Sequence, residues 1–236
     1  MSTPDISHIS SDDFSHIYEP AEDSFLFLDA IENELPTLKT LRPQICLEIG
    51  AGSGIVSTFL AKEIGFPIFC ICTDINPRAV SITKTTGLKN NVSLEPIRTD
   101  LVSGLAERLR KRVDVLLFNP PYVVTPSQEN SPGTSQGYST HPGISITSWL
   151  KFCMQVGSNG IEASWAGGED GREVINRVLP LVPQLLSDTG IFYMVVIKEN
   201  KPEEIGSILG TAGLTMTTVL SRRSGPEFLS VLKFTR

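Results

Sequence analysis

The feature that most restricts the fold is a regular alternation of short apolar runs with helix-like segments over the first two-thirds of the chain. The runs at 45–49, 68–74 and 113–118 have the length and the β-branched or aromatic content of buried strands. Segments with helical apolar spacing begin at Ile55 and at Pro77. This alternation predicts a parallel sheet with helices on both faces.

The last strands follow a different pattern. The runs at 215–221 and 228–234 are separated only by a turn near 224–226, so they should pair as an antiparallel hairpin. A helix is expected from about Gly171 until Gly190 breaks it. With a strand at 92–97 and another at 191–197, the sequence predicts a single doubly wound, Rossmann-like α/β domain with a mostly parallel seven-stranded sheet. The 236 residues, 40% of them hydrophobic, suffice for one such core. We expect a flexible N-terminus at 1–16 and the domain at 17–236.

Polar residues and glycines follow the predicted strands at the ends where open α/β sheets bind ligands. Gly-Ala-Gly-Ser-Gly at 50–54 joins the first strand to its helix and allows close backbone approach to a ligand. Glu48, just before this loop, would suit a ligand with a cationic amino group. Asp74 closes the next strand at the roughly 20-residue distance from which an acidic residue reaches ribose hydroxyls. Asp100, followed by Leu101, either accepts from an adenine amino group or caps a turn.

The fourth strand stops at Asn119-Pro120-Pro121-Tyr122, which predicts a rigid polar tip. Prolines cannot continue a strand ladder, and the residue before each proline is held extended. The Asn119 carboxamide oxygen and the Pro120 carbonyl could accept both hydrogens of a planar NH2 group, while Tyr122 stacks on its plane. Asn-Pro-Pro is also typical of an ordinary turn, so this motif alone leaves both interpretations open.

Composition argues against several classes of protein. The net charge of -6 and the absence of long basic runs disfavour non-specific nucleic-acid binding. Cys46, Cys70, Cys72 and Cys153 lack the spacing of a zinc site, so we expect buried free thiols, a reducing compartment and no bound metal. No secretory leader and no membrane-spanning run is found, which leads us to expect the cytoplasm and the nucleus.

Residues 130–155 interrupt this organisation. Ser, Thr, Gly and Pro are crowded there, which is typical of a loop or a disordered insertion. The segment lies shortly after the Asn-Pro-Pro-Tyr tip, so it could cover or reshape a nearby cleft.

Taken together, these motifs resemble the class I S-adenosylmethionine-dependent methyltransferases. The Asn-Pro-Pro-Tyr (NPPY) tetrad is similar to that of enzymes that methylate planar amino groups: adenine N6, cytosine N4 or glutamine amides. The closest resemblance is to the eukaryotic HemK-type glutamine methyltransferases. The stretches that carry it lie at 18–24, 46–54, 72–77, 118–126 and 160–168. In that family the chain after Thr125 and Pro126 runs almost directly into the 160–168 stretch, so residues 130–155 are additional.

The resemblance implies a binding mode for S-adenosylmethionine. Glu48 and Gly50 would hold its methionine part, with Tyr18 and Ser24 closing over it. The ribose and adenine contacts would come from Asp74, Asp100 and Leu101. Asn119 would contact both cofactor and substrate. The catalytic and substrate-binding residues would be Asn119, Pro120, Pro121 and Tyr122.

The resemblance also implies a substrate and a partner. The substrate would be the glutamine of the Gly-Gly-Gln motif in the translation release factor, methylated at N5. The partner would be a small zinc-binding activator subunit that adds a strand to the sheet and forms a heterodimer. The strand at 92–97 contains Pro96, which indicates an edge strand open to such an addition.

Three other functions stay open at this point. The same tetrad could serve adenine-N6 methylation of DNA or RNA, although the acidic charge and the lack of a target-recognition domain count against it. Protein-lysine methylation ranks lower, because the NPPY acceptors suit a neutral NH2 group better than an ammonium. An inactive cofactor-binding form, blocked by residues 130–155, is the third.

Overall fold

A seven-stranded mixed sheet forms the centre of the protein. The structure, a computed structural model, describes residues 2–125 and 164–236. The strand order is β3-β2-β1-β4-β5-β7-β6, and only β7 runs antiparallel to its neighbours β5 and β6. The predicted Rossmann-like α/β fold with a C-terminal antiparallel hairpin is therefore confirmed. The strands are β1 (Ile45–Ile49), β2 (Phe69–Asp74), β3 (Leu94–Arg98), β4 (Val113–Phe118), β5 (Leu186–Ile197), β6 (Thr215–Ser224) and β7 (Glu227–Thr235).

Helices cover both faces of this sheet. They are α1 (Glu22–Leu41), α2 (Ile55–Glu63), α3 (Pro77–Lys89), α4 (Ala106–Leu109), α5 (Glu173–Val178), α6 (Val182–Leu185) and α7 (Pro202–Thr211). Alternate strand residues enter opposite cores, because successive side chains of a strand point to opposite faces. Tyr193 of β5 packs in the core that contains α1 and α2, and Phe192 packs in the core that contains α5 and α7.

The carboxyl ends of the central strands lie level with one another. Ile49 of β1 pairs with Thr73 of β2 on one side and with Phe118 of β4 on the other. The residues that follow these strands therefore emerge at one edge of the sheet. This register brings Gly50, Asp74 and Asn119 together, although they are distant in sequence.

Two element boundaries differ from the sequence prediction. The expected single helix from Gly171 is divided into α5 and α6, with Pro180 between them and Pro183 in the first turn of α6. Proline lacks the N–H that a helix interior needs. β5 begins at Leu186, not at 191, because Leu186 already pairs with Val113 of β4. Gly190 lies within the strand.

The predicted edge position of Pro96 is confirmed. β3 is the first strand of the sheet order, and Pro96 pairs with Cys72 of β2. The expected buried thiols are also found: Cys46, Cys70 and Cys72 are buried and free. Cys153 lies outside the described residues, as does the predicted insertion at 130–155.

Residues 2–17 pack on α3. The backbone of Asp5 exchanges two hydrogen bonds of 2.8 Å with the Asn90 side chain, and Ile9 and Ile17 are buried against Ile82. Flexibility of the first 16 residues stays a prediction. Within 2–125 and 164–236, no helix has both the length and the apolar character needed to cross a membrane.

Candidate active site

A cavity of about 250 Å³ lies at the carboxyl edge of the sheet, over β1, β2 and β4. Every site residue predicted from the sequence lines it, and their individual roles remain predictions. These residues are Tyr18, Ser24, Glu48, Gly50, Asp74, Asp100, Leu101, Asn119, Pro120, Pro121 and Tyr122.

The glycine-rich loop presents bare backbone to this cavity. Gly50 and Gly52 have positive φ angles of 71° and 53°, and a Cβ atom on either would meet nothing within 4 Å. Gly54 instead allows α3 to pack closely, because a Cβ there would lie 2.9 Å from the Thr83 Cα of α3. The first two glycines leave room for a ligand, and the third permits close helix packing.

Glu48 is a buried acid beneath the loop. Its side chain accepts a 3.1 Å hydrogen bond from the Ser57 N–H, and the residue is 2% exposed. Burial raises the pKa of Glu48 to about 7, the charge of Asp74 adds to this, and the hydrogen bonds from Ser57 oppose it. A cationic group in the cavity would favour the ionised carboxylate.

Asp74 is held by backbone N–H groups on both oxygens. Oδ2 accepts from Gly52 at 2.9 Å and Oδ1 accepts from Asn76 at 2.8 Å. Burial raises the pKa of this carboxyl, while the backbone hydrogen bonds lower it. A carboxylate fixed in this way retains lone pairs for ligand hydroxyls.

Asp100 has a partner that the sequence did not reveal. Arg177, just before the end of α5, donates to its Oδ2 at 2.6 Å, and both side chains are about half exposed. The adenine contact predicted for Asp100 would therefore share this carboxylate with a guanidinium.

Asn119 directly follows β4, and the nitrogen and oxygen of its side-chain amide differ in their hydrogen bonding. Nδ2 donates to Asp23 Oδ2 at 2.8 Å, whereas Oδ1 is buried and, among the described residues, has no hydrogen-bond partner. Asp23 also accepts from the Tyr18 hydroxyl at 2.9 Å and is 3% exposed. Sequence reasoning missed Asp23 because an acid in the first helix turn is explained by the helix dipole. Tyr18, which lies in the same sequence motif, was the residue that could have indicated a functional role for Asp23.

The backbone of the tetrad is held at Tyr122 by the segment that follows β5. Asn200 donates to the Tyr122 carbonyl at 2.9 Å, and its own Oδ1 accepts from Ile197 N–H at 2.8 Å. Asn200 is fully buried and was also missed, since nothing at 198–200 marks it. Burial, and then the charge of Asp23, raises the pKa of the Tyr122 phenol, so its hydroxyl stays protonated.

A short parallel backbone pairing follows the Asn-Pro-Pro-Tyr tip, between residues 123–125 and 165–168. Val123 N–H donates to Trp165 O at 3.1 Å, Gly167 N–H donates to Val123 O at 2.8 Å, and Thr125 N–H donates to Gly168 O at 3.0 Å. Among the described residues, three backbone hydrogen bonds thus join the segment that follows Tyr122 to residues 165–168, and Gly168 N–H also donates to Thr125 Oγ1 at 2.9 Å.

Comparison with known proteins identifies methyltransferases as the relatives of this chain. The methyltransferase small domain family matches residues 25–132. Human methyltransferase HEMK2 is 51% identical over the whole chain and 97% of its own length. The chain belongs to the HEMK2 methyltransferase family. The predicted membership in the HemK-type glutamine methyltransferases is confirmed.

Other members of the family extend the comparison. The eRF1 methyltransferase catalytic subunit mtq2 of Schizosaccharomyces pombe is 34% identical over the whole chain and 96% of its own length. Among solved structures, the E. cuniculi Mtq2-Trm112 complex, responsible for methylating the eRF1 termination factor, aligns with a TM-score of 0.62. That alignment covers 93% of this chain and 98% of the other at 24% identity, and it supports the fold.

Proposed function

We propose that this HEMK2-family protein uses S-adenosylmethionine to methylate the side-chain amide of the glutamine in the Gly-Gly-Gln motif of the release factor eRF1. The proposal rests on family membership and on the activity of the Schizosaccharomyces pombe relative, eRF1 methylation. The single structural observation that carries it is the buried Oδ1 of Asn119, which has no hydrogen-bond partner within 2–125 and 164–236.

Asn119 Oδ1 is a hydrogen-bond acceptor to which no group in the described part of the chain donates. A buried polar atom without a partner costs free energy, and in a native protein it calls for an explanation, such as an ordered water, a catalytic role or a ligand that supplies the missing donor. A primary amide offers two N–H groups, of which Asn119 Oδ1 can accept one and the Pro120 carbonyl the other. This pair of acceptors favours a neutral NH2 group, which donates two hydrogens. A hydroxyl donates only one, and a carboxylate donates none.

The residues over β1 and β2 fit S-adenosylmethionine. Glu48 would hold the cationic amino group, the open backbone at Gly50 would lie along the methionine part, and Asp74 would accept from the ribose hydroxyls. Tyr18, Ser24, Asp100 and Leu101 complete this wall of the cavity. When bound there, the cofactor supplies an electrophilic methyl group on a sulfonium.

The chain's own groups then act on the acceptor amide. An amide nitrogen is a weak nucleophile because its lone pair is delocalised, so orientation contributes much of the rate. Acceptance of both N–H groups by Asn119 and Pro120 raises electron density on the nitrogen and stabilises the positive charge that develops there. Tyr122, held by Asn200, packs on the amide plane with Pro121 beside it. The proton leaves after transfer, so no separate general base is assigned.

We further propose that a small activator subunit, of the kind named in the Mtq2-Trm112 complex, pairs with the open edge of β3. Among residues 2–125 and 164–236, β3 is paired with a strand on one side only, and its other side is the proposed place for strand addition. We propose that this subunit binds zinc, and that the heterodimer works in the cytoplasm and the nucleus.

The test is methyl transfer from labelled S-adenosylmethionine by the full chain co-purified with the activator subunit. Acceptors are eRF1, eRF1 with the Gly-Gly-Gln glutamine changed to glutamate, and an adenine-containing duplex. Label on intact eRF1 alone, mapped to that glutamine by mass spectrometry, supports the proposal. Label on lysine or on the duplex overturns it in favour of those substrates.

Three variants complete the design. Asn119→Ala should slow transfer about 10²–10³-fold, while Asn33→Ala, the same change at an exposed position of α1, should leave it intact. Deletion of 130–155 tests whether that segment blocks the reaction. Transfer that appears only after the deletion would assign the full chain to an inactive, cofactor-binding form.

A further inference from the structure

The carboxamide of Asn119 has two nearly isosteric orientations with opposite chemistry. With Oδ1 toward the cavity, it accepts from an amide N–H; rotated by 180°, it offers only donors. The shape of the side chain does not choose between them. A neighbour must therefore fix the orientation.

Asp23 is placed to do this. The Tyr18 hydroxyl donates to its Oδ1 at 2.9 Å, the Ser24 hydroxyl donates to the same oxygen at 3.4 Å, and Asn119 Nδ2 donates to Oδ2 at 2.8 Å. A group that receives three donors acts as a pure acceptor. Because it offers no hydrogen, the amide edge facing Asp23 has to be the NH2 edge.

We propose that Asp23 is a positioning residue for methyl transfer, which keeps Oδ1 of Asn119 turned toward the acceptor amide. This inference rests on the proposed function and adds a means of substrate selection to it. By fixing the polarity of Asn119, Asp23 makes the site accept N–H donors and disfavour substrates that present an oxygen acceptor.

The contact also links two separate parts of the chain. Asp23 lies in the first turn of α1 and Asn119 lies 96 residues later at the end of β4. Tyr18 stands before α1, so its hydroxyl supports Asp23 besides any contact it makes with the cofactor. Tyr18→Phe should therefore weaken the same function in milder form.

The first experiment compares Asp23→Asn with Glu22→Gln in the activator-bound full chain. Asn at 23 is isosteric but can donate or accept, so it no longer imposes one orientation on Asn119. We expect kcat on the glutamine substrate to fall about 10- to 100-fold, as for other residues that orient a reacting group. Affinity for S-adenosylmethionine should stay within about threefold. Glu22→Gln removes an exposed charge from the same turn and should change neither quantity.

A double-mutant cycle separates positioning from general support of the fold. If Asp23 acts through Asn119, adding Asp23→Asn to Asn119→Ala should slow transfer no further. An additional loss equal to that of the single variant would overturn the proposal. So would unchanged kcat in Asp23→Asn, or a loss of cofactor affinity that accounts for the whole effect.

NMR of the Asn119 side-chain amide gives a readout that needs no turnover. In the wild type, its two protons should be distinct and slow to exchange with solvent, and in Asp23→Asn they should exchange faster. Equal exchange in the two proteins would overturn the proposal. If the wild type methylates no glutamine, the proposed function fails, yet this measurement still decides whether Asp23 orients Asn119. If Asp23→Asn does not fold, the same amide signal is measured in Tyr18→Phe, where unchanged exchange counts against the role of Asp23.

Discussion

The two sides of the cavity are held together in different ways. On the side of β1 and β2, the acids Glu48 and Asp74 accept from backbone N–H groups at most 22 residues away in sequence, at Ser57, Gly52 and Asn76. On the side of β4, the functional groups are fixed by distant partners: Asn119 by Asp23, and the Tyr122 carbonyl by Asn200.

This difference divides the expected consequences of mutation into two classes. Backbone N–H groups remain whatever side chain is changed, so the first side depends on loop conformation and on the acids themselves. Side-chain partners can be deleted one at a time, so the second side should lose orientation while the cavity keeps its shape. If the comparison is correct, variants of one side should alter cofactor affinity and variants of the other should alter kcat.

The largest effect is expected for Asn119→Ala. Loss of a preorganised group that stabilises developing charge costs about 10²–10³ in kcat. Cofactor affinity, measured by calorimetry, should change less than about fivefold. A fall in affinity as large as the fall in rate would break the comparison, since it would place Asn119 on the cofactor side.

Glu48→Gln should affect the opposite side. A carboxyl with a pKa near 7 must lose its proton to hold a cationic amino group, so wild-type cofactor affinity should fall by up to tenfold per pH unit below about 7. The glutamine variant should bind about 10²-fold more weakly at pH 8 and show no such dependence. Calorimetric titration between pH 5.5 and 8.5, at roughly half-unit steps, measures both.

The same substitution should stabilise the protein without ligand. The folded pKa of Glu48 lies above its unfolded value of 4.5, so the stability that this group contributes is present below pH 4.5 and is lost as the pH rises through about 7. Glu48→Gln should therefore raise the free energy of unfolding at pH 8 by about 3 kcal/mol. The gain should disappear toward pH 4.5. Urea unfolding at the two pH values checks this, and a gain at low pH alone would contradict it.

Asn200→Ala should weaken the β4 side through its support. It leaves the Tyr122 carbonyl and the Ile197 N–H without their partner in a fully buried place. We expect a loss of about 2–3 kcal/mol in the free energy of unfolding, and a fall in kcat that exceeds the change in cofactor affinity. Urea unfolding with Asn33→Ala as control provides the measurement. A loss under about 0.5 kcal/mol would show that the hydrogen bond from Asn200 is not what fixes the Tyr122 backbone.

The smallest effect is expected for Arg177→Ala. This change removes the half-exposed guanidinium that occupies Asp100 Oδ2. Exposed ion pairs contribute little, so cofactor affinity should increase only about two- to threefold if Asp100 accepts from the adenine. Arg110→Ala removes another exposed guanidinium, that of the Glu107 pair, and controls for the change in charge. Weaker binding would assign the adenine contact to Arg177 instead.

The contrast also explains what the sequence could predict. Spacing alone located Glu48, Gly50 and Asp74, because the loop, the strand end and the helix that hold them are neighbours in sequence. Proline rules located the rigid tip at Asn119. Each is a local consequence of backbone chemistry.

The missed residues have a different origin. Asp23, Arg177 and Asn200 act on partners 77 to 96 residues away, a separation that only the assembled sheet bridges. The helix expected from Gly171 was wrong for a local reason, since Pro180 and Pro183 were visible and their effect was underestimated.

The hydrogen bonds between 123–125 and 165–168 have a consequence for how ligand binding can be observed. They hold the Trp165 backbone against Val123, the residue next to Tyr122, and Trp165 also lines the cavity. Trp165 is therefore an intrinsic fluorophore at the site, and its emission should change when a ligand enters the cavity.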